Sequence, residues 1–255
     1  AGEEITAVLP AEWSSTVQIE LADAREGHYA GAVDQLVTCL EEGTPRELST
    51  LPEPAFAPRN PYKGLHAFTQ DDTTDFFGRE ALTQELVEQV KRLLAAQQPE
   101  VPPTRLLTVI GPSGSGKSSV VMAGLLPRLR QGTVAGSEQW VYLGPMVPGT
   151  RALEALALTL TPCFPNRSVK SLREDLEDES ARGLHLLATQ LVQAPGQRVV
   201  LVIDQLEELF TQTSSEQERQ QFIDLQVAAV TEPQGPVVVI LTLRADFYDR
   251  PLAYP

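Results

Sequence analysis

Cysteine is scarce: Cys39 and Cys163 are the two in 255 residues, and they lack the spacing of a metal site or a redox pair. A disulfide framework is therefore excluded, and each is expected to pack as a small apolar side chain. Positive charge is also short. Twenty Lys and Arg face 34 Asp and Glu, for a net charge of −14. Nucleic-acid binders carry a basic footprint, and none is visible here, so a nucleic-acid partner is not expected. Long apolar runs are missing too. The longest, Val199–Ile203 and Val237–Leu241, are strand-sized and far below a membrane span. No signal-peptide pattern opens the chain. The expectation is a cytoplasmic protein with no membrane partner. The sequence also begins without Met and stops soon after a strand, which reads as a piece of a longer polypeptide.

What is present is a core's worth of apolar residues, 42% of the chain, and one organising motif. Gly111-Pro112-Ser113-Gly114-Ser115-Gly116-Lys117-Ser118 reads G-x-x-x-x-G-K-S, the phosphate-binding P-loop. It follows Leu106–Ile110, an apolar run that reads as a buried strand, and precedes Ser119–Arg130, which reads as a helix. Glycines let the backbone curl so that several N–H groups aim at one anion, and the helix start adds partial positive charge. In this reading Lys117 reaches the β- and γ-phosphates, Ser118 holds Mg²⁺, and Ser119 completes the cradle. Gly124, Pro127 and Gly132 are expected to weaken and end the helix.

A second phosphate-site signature lies downstream. Val199–Ile203 followed by Asp204 is a buried strand ending in a carboxylate at the sheet edge where ligands bind. Asp204 is expected to hold Mg²⁺ through water, opposite Ser118. The next acids, Glu207 and Glu208, are candidates to orient or deprotonate an attacking water, with Glu208 favoured. Many P-loop ATPases place that acid directly after the aspartate, where this chain has Gln205. The base assignment therefore stays open, as does the plainer role of the two glutamates as helix caps. Val237–Leu243 reads as another buried strand, ending at Arg244, and strands near 106, 140, 199 and 237 alternate with helices. The fold class is α/β with a mostly parallel sheet.

Elsewhere the pattern is plainer. Trp140–Leu143 reads as a strand closed by Gly144-Pro145, and apolar faces near 153–160 and 184–192 read as helices. The acidic run at Glu174–Glu179 is expected to be a solvated helix face, since its carboxylates have no enclosing loop. His185 has no partner pattern and reads as a packing or surface residue.

Residues 1–43 read as a partial α/β unit: a strand at Ile5–Leu9, another at Val17–Leu21, then a helix over Tyr29–Leu40. Ala7-Val8-Leu9-Pro10, Trp13, Ile19–Arg25 and that helix resemble the C-terminal end of bacterial TIR domains. The family's NAD-cleaving glutamate has no counterpart in these residues, so no such activity is expected. Residues 44–60 carry repeated prolines and read as a linker.

Asn60-Pro61-Tyr62-Lys63-Gly64-Leu65, then Phe76-Phe77-Gly78-Arg79-Glu80, then the P-loop, resemble the STAND class of signal-transduction NTPases, and within it the bacterial novel STAND group. The resemblance covers about residues 58 to 250, and the NTPase domain is placed at 61–255. It implies that Phe77, Gly78, Arg79 and Glu80 lie beside the base and ribose. Taken alone, Arg79 and Glu80 also fit the charged first turn of a solvated helix. Leu243–Arg250 matches the group's sensor segment, with Arg244 reading the γ-phosphate; the glutamates resemble the NACHT pattern of acids three and four positions past the aspartate. The resemblance implies a P-loop sheet of the AAA+ kind with the sensor strand between the P-loop and Asp204 strands. It also implies further C-terminal domains, often WD-repeat propellers. Ending at 255, the P-loop strand is expected to have an unpaired edge.

The implied activity is an ATP/ADP switch with slow hydrolysis, Mg²⁺ as cofactor, self-association through the NTPase domain and a protein trigger of unknown identity. The preference for adenine rests on the resemblance and on the missing guanine-reading N-K-x-D motif. A helicase- or motor-like P-loop ATPase and a scaffold with a decayed nucleotide site are the alternatives.

Overall fold

The computed structural model describes residues 17–20, 63–64, 66–95, 104–178 and 180–254. The expected strand at 5–9, helix at 29–40, linker at 44–60 and residues Asn60–Tyr62 and Leu65 lie outside them. By compactness the chain divides into Ala1–Leu21 with Ala67–Pro255, and Ala22–His66.

Five strands form one parallel sheet: β1 (Val17–Glu20), β2 (Leu106–Gly111), β3 (Val141–Met146), β4 (Val199–Ile203) and β5 (Val237–Arg244). Their order is β1-β2-β5-β4-β3, so the sensor strand does lie between the P-loop strand and the Asp204 strand. The expected open edge of β2 is not found. Val17–Glu20 pairs alongside Leu107–Ile110, and the period-two run satisfies backbone groups that would otherwise be unpaired.

The middle strands read as unbroken apolar runs because both faces of the sheet are covered. Side chains alternate across a strand. Val199, Leu201 and Ile203 of β4, with Val237, Val239 and Leu241 of β5, pack under helices Ala152–Leu160, Val169–Leu176, Gly183–Leu191 and Glu216–Thr231. Val200 and Val202, with Val238, Ile240, Leu107 and Val109, face the other way. Helix Glu80–Ala95 covers that second face through Leu86, Val87, Val90 and Leu93. The helix after the P-loop packs there as well, through Val120, Val121, Leu125 and Leu126. Phe222 is the largest of the fully buried side chains among the described residues and sits in the first core; such a residue contributes about 3–5 kcal/mol against truncation to Ala.

Local signals account for the helix starts. Ser215 accepts the Glu218 N–H at 3.2 Å, and Ser168 accepts the Ser171 N–H at 3.1 Å, each filling a bond that a helix start leaves open. The helix after the loop spans residues 117–130 and does not end at Gly124 or Pro127. Its middle, Val120–Leu125, is wound as a π-helix, with the Leu126 N–H bonded to Val121 O. Proline cannot donate and its ring crowds the preceding turn; the wider winding just before Pro127 absorbs both, and the helix continues to Arg130. Gly124 has a packing role: a Cβ there would stand 2.7 Å from Thr83 Oγ1 and 3.3 Å from the Phe76 ring. Strand β3 also runs past its expected stop. A register shift between Leu143 and Met146 carries it through Gly144-Pro145.

The acidic run begins in the last turn of helix Val169–Leu176 and continues past it, with Glu174, Glu177 and Asp178 exposed and Leu172 and Leu176 buried, as a solvated face requires; Glu179 is not among the described residues. Cys163 packs against the first core, and burial pushes its thiol pKa up. Among the described residues no helix is long and apolar enough to cross a membrane.

Candidate functional site

Parallel strands deliver their C-terminal ends to one edge of a sheet, and register decides which residues meet there. Gly111 pairs with Arg244, and Ile203 with Leu241, so Asp204 follows at the level of Thr242. The loop from Gly111 turns over this edge. Gly114 and Gly116 adopt left-handed backbone, φ +73° and +88°, and a Cβ on either would meet nothing within 4 Å. The loop therefore keeps the curled backbone and the open space that a phosphate cradle needs. Helical structure begins at Lys117, whose first-turn N–H groups have no partner within the helix.

Lys117 is buried, and its ammonium donates to Gly111 O at 3.0 Å and Pro112 O at 2.9 Å. Burial holds its pKa below the usual lysine range, against the opposing pull of Glu207 and Asp204. Ser118 Oγ donates to Asp204 Oδ1 at 2.7 Å, bringing the two expected metal residues together. Ser119 Oγ accepts the Phe68 N–H at 3.0 Å, tying the segment before the first helix to the loop helix. Pro112, Ser113 and Gly114 are exposed, and Ser115 Oγ closes the loop on Pro112 O at 2.8 Å.

Gln205, where other ATPases carry an acid, has φ +55° and is exposed. The chain turns there and starts the short helix Glu207–Thr211. Glu207 is buried, and its Oε2 accepts the Arg244 N–H at 3.3 Å. Glu208 is more open. Burial first, then the charges of Glu207 and Asp204, raise its pKa. The Arg244 guanidinium makes two bonds to Asp246, Nε to Oδ1 at 3.1 Å and Nη2 to Oδ2 at 2.6 Å, and lies 5.3 Å from the Phe247 ring centroid. That hydrogen bonding pulls the Asp246 pKa down and raises that of Arg244.

The Phe77–Glu80 segment is arranged differently. Phe77 is 76% exposed, and Gly78 donates its N–H to Glu80 Oε1 at 2.9 Å. Arg79 O accepts from both Thr83 N–H and Thr83 Oγ1, at 2.9 and 2.8 Å. Arg79 and Glu80 thus build the first turn of their helix. They line a cleft with Thr83, Gly124, Pro127 and Arg128, further along the loop helix than Lys117.

Sequence reasoning missed three residues at this edge. Thr242 Oγ1 donates to Asp204 Oδ1 at 2.7 Å and accepts the Gln205 N–H at 2.9 Å. Its signal was a hydroxyl inside an otherwise apolar run. Asp246, the counter-ion of Arg244, and Phe68, the partner of Ser119, had no spacing signal.

The donor set fits a magnesium nucleotide: a curled glycine loop, a buried ammonium, a hydroxyl on a carboxylate, and two further acids. No curated protein matches the chain. The family model described as Novel STAND NTPase 1 matches residues 61–255, the greater part of the sequence and every site residue above. The chain belongs to the novel STAND NTPase 1 family, and its P-loop domain is a nucleotide-binding one.

Proposed function

We propose that this domain is an ATP/ADP switch that hydrolyses ATP slowly and uses the nucleotide state to control self-association in signalling. The observation that carries it is the Arg244–Asp246 pair at the end of the sensor strand. A guanidinium that already has a carboxylate partner must exchange it for phosphate, so its contacts differ between a nucleotide with a γ-phosphate and one without. Differential contact is what lets a ligand move an equilibrium; equal binding to both states moves nothing.

Lys117 and the loop N–H groups hold the phosphates, and Ser118 and Asp204 hold Mg²⁺. When bound, Mg²⁺ would supply positive charge against the phosphates. Glu208 accepts a proton from the water that attacks the γ-phosphorus; the bond to the β,γ-bridging oxygen breaks, giving ADP and phosphate. Its raised pKa suits a base, whereas Glu207 is engaged by the Arg244 N–H. Gln205, turned outward, supplies no acid next to Asp204. This favours turnover well below the roughly 10 s⁻¹ of a typical enzyme. Phe77, Gly78, Arg79 and Glu80 are assigned to the base and ribose.

The test is thermal unfolding of the chain with Mg-ATP, Mg-ADP and Mg-GTP. An adenine-selective rise, about 2.7 kcal/mol at a hundred times Kd, is expected, with hydrolysis far slower than binding. No rise from a folded sample would favour a decayed site. Fast turnover, or turnover stimulated by nucleic acid, would favour a motor-type ATPase.

A further inference from the structure

Thr242 is 1% exposed, in the middle of the sheet, two residues before Arg244. A threonine hydroxyl has one proton to give and lone pairs to receive. Here the Gln205 N–H occupies a lone pair at 2.9 Å, and the one proton goes to Asp204 Oδ1 at 2.7 Å. The hydroxyl rotor is therefore fixed by its neighbours. The backbone of Thr242 takes part as well, its carbonyl accepting the Leu206 N–H at 3.0 Å. Side chain and backbone together seat the turn Asp204-Gln205-Leu206, including the left-handed Gln205.

Asp204 Oδ1 receives a second hydroxyl, from Ser118, also at 2.7 Å. The two donors are not equivalent. Ser118 belongs to the loop helix and is itself assigned to the metal. Thr242 belongs to a buried strand, and among the described residues its hydroxyl's one other bond is the one it accepts from the Gln205 N–H. Among the described residues, both hydroxyls fall on Oδ1 and none on Oδ2, which leaves Oδ2 uncommitted. Such pairing is not automatic in this sheet: Thr108 of β2, equally buried, has no partner for its hydroxyl among the described residues.

We infer that Thr242 is a positioning residue for magnesium, fixing the Asp204 carboxylate by a hydrogen bond to Oδ1 so that Oδ2 faces the metal. The inference rests on the nucleotide-site reading above. It also makes β5 the strand that holds two of the site's acids, Asp204 through the Thr242 hydroxyl and Glu207 through the Arg244 N–H. Partners of a metal-binding carboxylate typically change metal affinity 10- to 100-fold when removed.

The experiment measures ADP binding to the full chain with and without Mg²⁺, for the wild type, Thr242→Val, Thr242→Ala and Thr242→Ser. Wild type is expected to bind more tightly with Mg²⁺. Thr242→Val should bind Mg-free ADP as wild type does and lose tightening by Mg²⁺ by about tenfold or more. Thr242→Ser should restore it, because the hydroxyl is the active part. Thr242→Ala serves if the valine variant does not fold. Full Mg²⁺ tightening in the hydroxyl-free variants would overturn the positioning role while leaving the nucleotide site intact. Equal loss with and without Mg²⁺ would overturn it too, showing a structural role only. No nucleotide binding in wild type would overturn both readings.

Discussion

Ser118 and Asp204, 86 positions apart in the chain, are joined by a 2.7 Å hydrogen bond from Oγ to Oδ1. The bond closes the loop helix onto the end of β4. Asp204 shares this edge with Glu207 and Glu208, and their charges raise the pKa of Glu208 after burial does. Asparagine at 204 still accepts both hydroxyls but removes a negative charge from the cluster. Asp204→Asn is therefore expected to keep or raise the unfolding temperature of the free protein. It should also weaken the Mg²⁺-dependent part of nucleotide binding by about tenfold or more. Differential scanning calorimetry with and without Mg-ADP reads both. A lower melting temperature with unchanged magnesium dependence would contradict the assignment.

Lys117 gives a related separation. Its ammonium is buried against two loop carbonyls, and burial lowers its pKa. The sign follows from linkage: folding disfavours the charged form, so at neutral pH that charge opposes stability. Lys117→Met keeps the aliphatic stem and removes the charge. The free protein should melt no lower than wild type, while the rise produced by Mg-ATP, about 2.7 kcal/mol at a hundred times Kd in the parent, disappears. Loss of stability in the free variant would mean that the carbonyl bonds outweigh burial.

The sheet and the phosphate loop were legible because each rests on a local pattern: apolar runs at β2, β4 and β5, and the fixed spacing from Gly111 to Ser118. Asp204 was legible as a carboxylate ending such a run. What could not be read depended on register or on side-chain direction. Thr242 matters because Ile203 pairs with Leu241, and no spacing rule encodes that neighbour. Gln205 looked like a missing acid, and only its φ of +55° shows why the acids come later. The helix was legible through to Arg130, but the π-wound turn by which it passes Pro127 has no sequence signature. The edge of β2 looked open because its covering strand comes from far upstream.

Gly124 sets how closely the loop helix approaches helix Glu80–Ala95. A Cβ there would press on Thr83 Oγ1 at 2.7 Å. Gly124→Ala gains helix propensity of about 1 kcal/mol, yet overpacking of this kind costs about 1–3 kcal/mol. A net loss of stability is expected in the single variant. Thr83→Ala removes the obstructing hydroxyl, so Gly124→Ala in that background should be neutral or stabilising. A double-mutant cycle in urea measures the coupling. Additive effects would show that the helices can simply move apart.

Glu208 ties the chemistry to pH. Its pKa is raised in the folded protein, so between the ordinary carboxylate value and that raised value the native state binds more protons than the unfolded one. Stability must then fall as pH rises through that window, the reverse of a salt-bridged carboxylate. Glu208→Gln removes this slope, and the free variant should be more stable than wild type at neutral pH. As the proposed base, the same residue should be needed for turnover and dispensable for binding. Glu208→Gln is expected to slow ATP hydrolysis about 10²–10⁴-fold with little change in ATP affinity, and Glu207→Gln less so, since Glu207 is held by the Arg244 N–H. Single-turnover hydrolysis and equilibrium binding on both variants decide between the two acids. A larger defect in Glu207→Gln would transfer the role to that residue.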